Sequence, residues 1–229
     1  MNKTQLLVKL KQLSDLSNNT TGDTNPILIE MESLIDAYLQ KYPQDIDMYI
    51  TLALVVSTVP LADDIKAIAS LEQALAYDPS NSTATLILAY IDMYTGSYNE
   101  NVLSRLHSIS SEDKEIMSMI AYARSWHYEY LRDENAYEKA LLESIGLCNQ
   151  YVWNYDSLGR FYLARSKTYQ GIMAIQNAVR NVKHIHIGNE SFAIYDSDKF
   201  LDSNLKGIYI TIPQLEMIYE TLSSTAERS

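Results

Sequence analysis

The sequence predicts an all-helical chain built as a stack of helical hairpins, and three observations predict it. Glycine and proline supply only 12 of 229 residues, against 47% apolar and 21% charged, a balance that excludes disordered, collagen-like and low-complexity chains. Between residues 27 and 182 apolar side chains recur at helical spacing in segments of a dozen or more residues, separated by short breaks. Two of these segments, 65–76 and 84–94, carry apolar residues on more than one face, as helices packed on both sides in a stacked array do.

Taken in order, Leu6, Leu10 and Leu13 predict a short amphipathic helix over 3–17, and NNTTGDTNP after it reads as a loop. A second periodic stretch runs from Ile27 to Tyr42 and stops at Pro43, whose ring and missing N–H cannot continue a helix. Further breaks fall at Pro60–Asp63, Asp78–Ser82, Thr95–Ser97, Ser108–Asp113, Arg132–Asn135, Leu147–Tyr151 and Ser166–Thr168, with no strand needed between them. Ile65, Ala67, Ile68, Leu71, Ala74 and Leu75 make up the apolar content of 65–76. In 84–94, Leu86, Ala89, Tyr90, Met93 and Tyr94 share one face and Leu88 and Ile91 lie on another. Carboxylates at Asp63–Asp64 and Glu112–Asp113–Glu115 fall at helix starts, where they cap the first turn and favour the macrodipole. After Val182 the periodicity lapses into an irregular connection with one helical turn near Ser197–Leu201. Thr211 with Pro213 and Gln214 then resembles a capping box, opening a final helix marked by Ile212, Leu215, Tyr219 and Leu222. The expected organisation is an N-terminal helix and loop over 1–26, a repeat domain over 27–182 and a C-terminal cap over 183–229.

Within the repeat domain, Tyr155, Leu158, Gly159 and Tyr162, followed by Gly171, Ile175 and Ala178, have the spacing of a 34-residue helix–turn–helix repeat. Ala67, Leu71, Ala74 and Pro79 match the second half of an earlier copy. Asn101, Arg105 and Ser108 follow 34 residues on, preceded by Gly96 and Tyr98, while Tyr137 and Ala140 mark a further copy. On these residues the chain resembles the tetratricopeptide repeat (TPR) family over residues 47–182, or 28–182 if Met31, Ile35 and Tyr38 form a degenerate first copy. The resemblance implies a right-handed α-solenoid of antiparallel hairpins with a terminal capping helix. The intervals from Asn101 to Ala140 and from Ala140 to Gly171 depart from 34, which places an expected lengthening in the turn around Arg132–Asn135.

The net charge of −11 is concentrated in residues 28–156, with 20 acidic and 7 basic side chains. Such a body repels phosphate backbones and excludes general nucleic-acid binding, while the encounter rate of a basic protein partner would rise; solubility alone is the plainer use of such charge. No apolar run reaches membrane-spanning length, and MNKTQLLVKLKQL interrupts its leucines with lysines, unlike a signal peptide. A lone Cys148 closes no intramolecular disulfide, so the cytoplasm is the expected compartment and the Asn-x-Ser/Thr triplets carry no glycosylation meaning.

Catalytic constellations are not evident. His184 and His186 flank Ile185 near Glu190 and Asp196, but no third ligand stands at a fixed spacing, so they read as surface histidines and no metal or cofactor is expected. His107 and His127 read as packing or groove residues. Cys148 ends a predicted helix, where the dipole disfavours a thiolate, and the seven glycines are isolated, so neither an activated nucleophile nor a phosphate loop is visible.

The unusual count is 18 tyrosines against 3 phenylalanines; tyrosine's apolar body and polar tip suit a wet groove better than a dry core. The resemblance implies that first helices line a concave face, which points Tyr49, Leu52, Tyr90, Met93, Tyr94, Tyr122, Trp126, Glu129, Trp153, Asp156 and Arg160 toward it. Asp156 and Arg160 also stand at ion-pair spacing. The expected function is non-catalytic binding of a peptide or protein, the acidity favouring a basic one. The inner helices lack the recurring Lys and Arg that clamping a C-terminal carboxylate requires. The alternative is an immunity-type inhibitor that neutralises a toxic enzyme such as a basic nuclease.

Overall fold

A computed structural model describes residues 1–96, 98–182 and 193–226. They are helical, without a strand among the described residues, and the contacts group the chain into two units. One comprises residues 1–95 with 191–199, the other 96–190 with 200–229.

The first unit contains α1 (Lys3–Asn19), α2 (Asn25–Leu39), α3 (Ile46–Ser57), α4 (Asp64–Tyr77) and α5 (Ser82–Tyr94). Helices α1 and α2 pair, α3 and α4 pair, and α2 packs on α3 as α4 does on α5. Asn2 and Gln5 close a capping box on α1, while Asp45, Asp63 and Asn81 cap α3, α4 and α5 through their side chains. Leu6, Leu10 and Leu13 of α1 are buried with Leu28, Met31 and Ile35 of α2. α5 is covered on nearly every side, from Ala84 to Ala89 and again at Ile91. α4 is not. Its buried stripe is Ala67, Ser70, Leu71, Ala74 and Leu75, and Ile65 stands 85% exposed, so of the apolar faces expected of α4 the one bearing Ile65 is left open to water. Residues 193–199 return to this unit, where the Ile194 amide donates to Ser14 Oγ at 3.0 Å.

The second unit contains α6 (Glu100–Ser108), α7 (Lys114–Tyr130), α8 (Glu134–Leu147), α9 (Val152–Leu163) and α10 (Thr168–Val182). The end of α11 (Ser197–Leu201), a π-helical turn over Asp202–Lys206 and α12 (Ile212–Ala226) complete it. α7 pairs with α8 and α9 with α10, α6 packs on α7, and α8 on α9. The two hairpin turns are alike. Arg132 and Ser166 are both left-handed at φ 58°, with Asp133 N–H donating to Tyr128 O at 2.9 Å and Lys167 N–H to Tyr162 O at 3.0 Å. At the α9–α10 crossing, Gly159 and Gly171 let the backbones approach: a Cβ on Gly159 would lie 2.6 Å from Ile175 and 3.2 Å from the Gly171 oxygen. The α7–α8 crossing uses serines instead, Ser118 and Ser144 each donating to the other's carbonyl at 2.9 Å. α12 packs along α10, with Ile210 and Ile218 buried against Val152, Ile175, Ala178, Val179 and Val182. The Thr211 N–H donates to Gln214 Oε1 at 3.0 Å, which is half of the expected capping box.

The buried triads of the second helices set the repeat register: Ala67, Leu71 and Ala74; Val102, Leu106 and Ile109; Tyr137, Leu141 and Ser144; Gly171, Ile175 and Ala178. They recur at intervals of 35, 35 and 34 residues. This corrects two expectations. Asn101, Arg105 and Ser108 are not a packing triad, because apolar Val102, Leu106 and Ile109 take the buried positions and leave the polar side chains outside. Nor is the turn at Arg132–Asn135 lengthened, since its Arg132-to-Glu129 and Asp133-to-Tyr128 bonds have counterparts 34 residues on in Ser166-to-Leu163 and Lys167-to-Tyr162.

Candidate functional site

In the first unit, Tyr49 on the first turn of α3 stacks on Tyr77 at the end of α4, ring centres 6.2 Å apart. Tyr90 stacks on Tyr94 one turn along α5, at 6.1 Å. Met93 is 39% and Tyr94 70% exposed, so this end of α5 presents thioether and phenol to solvent. Leu52 is buried core. Burial pushes the Tyr49 and Tyr90 hydroxyls above their ordinary range.

In the second unit, Tyr122 is buried on α7, its hydroxyl 3.2 Å from Ser157 Oγ and its ring edge-on to Trp126 at 5.0 Å. Burial pushes the Tyr122 hydroxyl up to about 12. Asp156 is buried too, its Oδ2 accepting from Arg160 Nε at 2.8 Å, the i,i+4 pair. Arg160 and the exposed Glu129 border a cleft of about 540 Å³ whose walls include Tyr128, Tyr137, Phe161 and Arg165. The Arg165 guanidinium lies 3.8 Å over the Phe161 ring and donates to Glu134 at 2.9 Å. Trp153 is occupied differently: its indole N–H donates to Ser203 O at 2.9 Å.

No protein-family model and no curated protein matches the chain. Solved structures do. PilW, described as a widely conserved type IV pilus biogenesis factor, aligns with a TM-score of 0.61 at 11% identity over 99% of this chain and 100% of its own. A MamA crystal structure aligns at 0.57 and 15% identity over 70% and 92%. MamA from Desulfovibrio magneticus RS-1 aligns at 0.55 and 12% over 76% and 94%. The chain has the TPR-like helical-repeat fold, closed by a C-terminal capping helix.

In TPR-like terms, α3, α5, α7 and α9 are first helices. The structure brings Tyr90, Met93 and Tyr94 together on α5, and Tyr122 with Trp126 and Asp156 with Arg160 in the second unit. It sets Leu52, Tyr122 and Asp156 within packed surroundings, and Trp153 under the chain's own C-terminal segment. Phe161 and Arg165, at i,i+4, form a cation–π pair whose spacing is legible in the sequence. Lys206 and Glu115, which meet across 91 residues of chain, had no local signal. His184 and His186 lie outside the described residues. Among the described residues no three His, Cys, Asp or Glu side chains are grouped to hold a metal ion, and no helix is long and apolar enough to cross a membrane.

Proposed function

We propose that the chain is a non-catalytic protein-binding module whose first helices take up an extended or helical segment of a basic partner. The Met93–Tyr94 end of α5 carries this reading: these two large side chains stand in water at the end of an otherwise buried helix, with the half-buried Tyr90 ring stacked on Tyr94. Charge argues for the kind of partner. Six lysines against fourteen carboxylates leave the first unit at −8, so a cationic segment with apolar side chains complements it in both respects.

A fluorescein-labelled amphipathic peptide of leucine and lysine is the probe, and anisotropy is the readout. Tyr90→Ala together with Tyr94→Ala leaves every charge in place, so general electrostatic attraction is unaltered. The account expects about tenfold weaker binding, roughly 1.4 kcal/mol, with helicity retained by circular dichroism. Unchanged affinity in the folded double variant would remove α5 from the binding surface.

A further inference from the structure

The segment Leu201–Gly207 lies across the N-terminal turns of α7 and α9 and is held there as a ligand would be. Lys206 is 9% exposed, its ammonium 2.8 Å from Glu115 Oε2, 2.8 Å from Asp202 Oδ1 and 5.5 Å from the centre of the Tyr151 ring. The Trp153 indole reads a backbone carbonyl, that of Ser203. Leu201 and Leu205, one turn apart, are 5% and 1% exposed. Gly207 takes a left-handed φ of 77° and passes so near α9 that a Cβ would stand 3.0 Å from Val152 and 3.2 Å from the Trp153 ring.

A segment whose sole task is to shield apolar surface has no use for a desolvated ammonium. Lys206 is nearly closed off from water while the Glu115 side chain stays 59% exposed, so the pair adds little net energy and its return is selectivity for one charge in one place. Lysine can also leave, because its hydration is restored on exit. Burial alone would push the Lys206 ammonium down, yet the hydrogen bonds with Asp202 and Glu115 outweigh it and hold the ammonium above its ordinary value; the same contact holds the Glu115 carboxyl low.

We propose that the surface formed by Glu115, Tyr151 and Trp153 is a recognition site for a helical turn bearing two leucines four residues apart followed by lysine and glycine. The chain's own Leu201–Gly207 fills it as a resident ligand, and a partner of that signature binds by displacing it. This deepens the binding-module reading by defining what the second unit accepts, and it is separable from the α5 face of the first.

The test uses the full chain and a labelled peptide of its own residues 197–209, SDKFLDSNLKGIY. Lys206→Glu sets a carboxylate against Glu115 and frees the site while leaving Glu115, Tyr151 and Trp153 intact. The peptide should bind this variant at least tenfold more tightly than the wild type, and a peptide carrying the same Lys206→Glu change should bind neither. Equal binding to both proteins, or none to a folded variant, overturns the proposal and makes the segment a permanent cap. Should the variant fail to fold, excess peptide on the wild type decides: amide exchange at 201–207 should rise at least tenfold, and unchanged exchange overturns the proposal. Tyr90→Ala with Tyr94→Ala should leave binding of this peptide as it was, so loss of the α5 reading and loss of this one give different results.

Discussion

Tyr122 shows what a single side chain does in this fold and what its sequence position could tell. Its spacing on α7 put it among the inner-face residues, but periodicity names a direction and not the neighbour that covers it. Ser157 and Trp126 cover it, and the hydroxyl is held up to about 12 by burial. Leu52 and Asp156, pointed toward the same face by spacing, are likewise enclosed, whereas Tyr94, pointed there too, stands exposed. For Tyr122 the folded state holds its proton more firmly than the unfolded state, whose hydroxyl titrates near 10. Its contribution to stability is therefore complete below pH 10 and is lost as the pH rises to about 12. Urea unfolding across that interval should show stability falling by up to about 1.4 kcal/mol per pH unit from this group. Tyr122→Phe should flatten that part of the slope, and an identical slope in the variant would mean the hydroxyl is not held by burial.

Helix boundaries were largely legible, because their causes are local. Asp63 and Asp113 cap the helices they were expected to cap, donors and acceptors lying within three residues. Pro43 follows the end of α2 within a few residues. Register was less legible where a copy is degenerate: counting 34 from Ala67 lands on Asn101, but burial selects Val102, since a carboxamide gains nothing in an apolar crossing. Where the pattern was intact, at Gly159 and Gly171, sequence and packing agree, and the agreement can be tested at this scale. Gly159→Leu places a branched side chain where even a Cβ meets Ile175 at 2.6 Å, so α9 and α10 must separate. Thermal unfolding should show a loss on the order of 3 kcal/mol, and an unchanged melting temperature would refute the close crossing.

For the molecule as a whole, an acidic first unit with an exposed tyrosine face and a second unit whose first helices are partly filled by the chain's own C-terminal segment have a common implication. The proposed working surface belongs to the first helices, while the second helices supply the buried packing triads. The fold was readable because repeats restate one steric rule; the self-filled face was not, because Lys206 and Glu115 come together only when the chain has closed. Amide exchange of the full chain with and without saturating leucine–lysine peptide tests this most directly. The account predicts protection in the first unit concentrated on α3 and α5; protection confined to the exposed faces of α2 and α4 would contradict it.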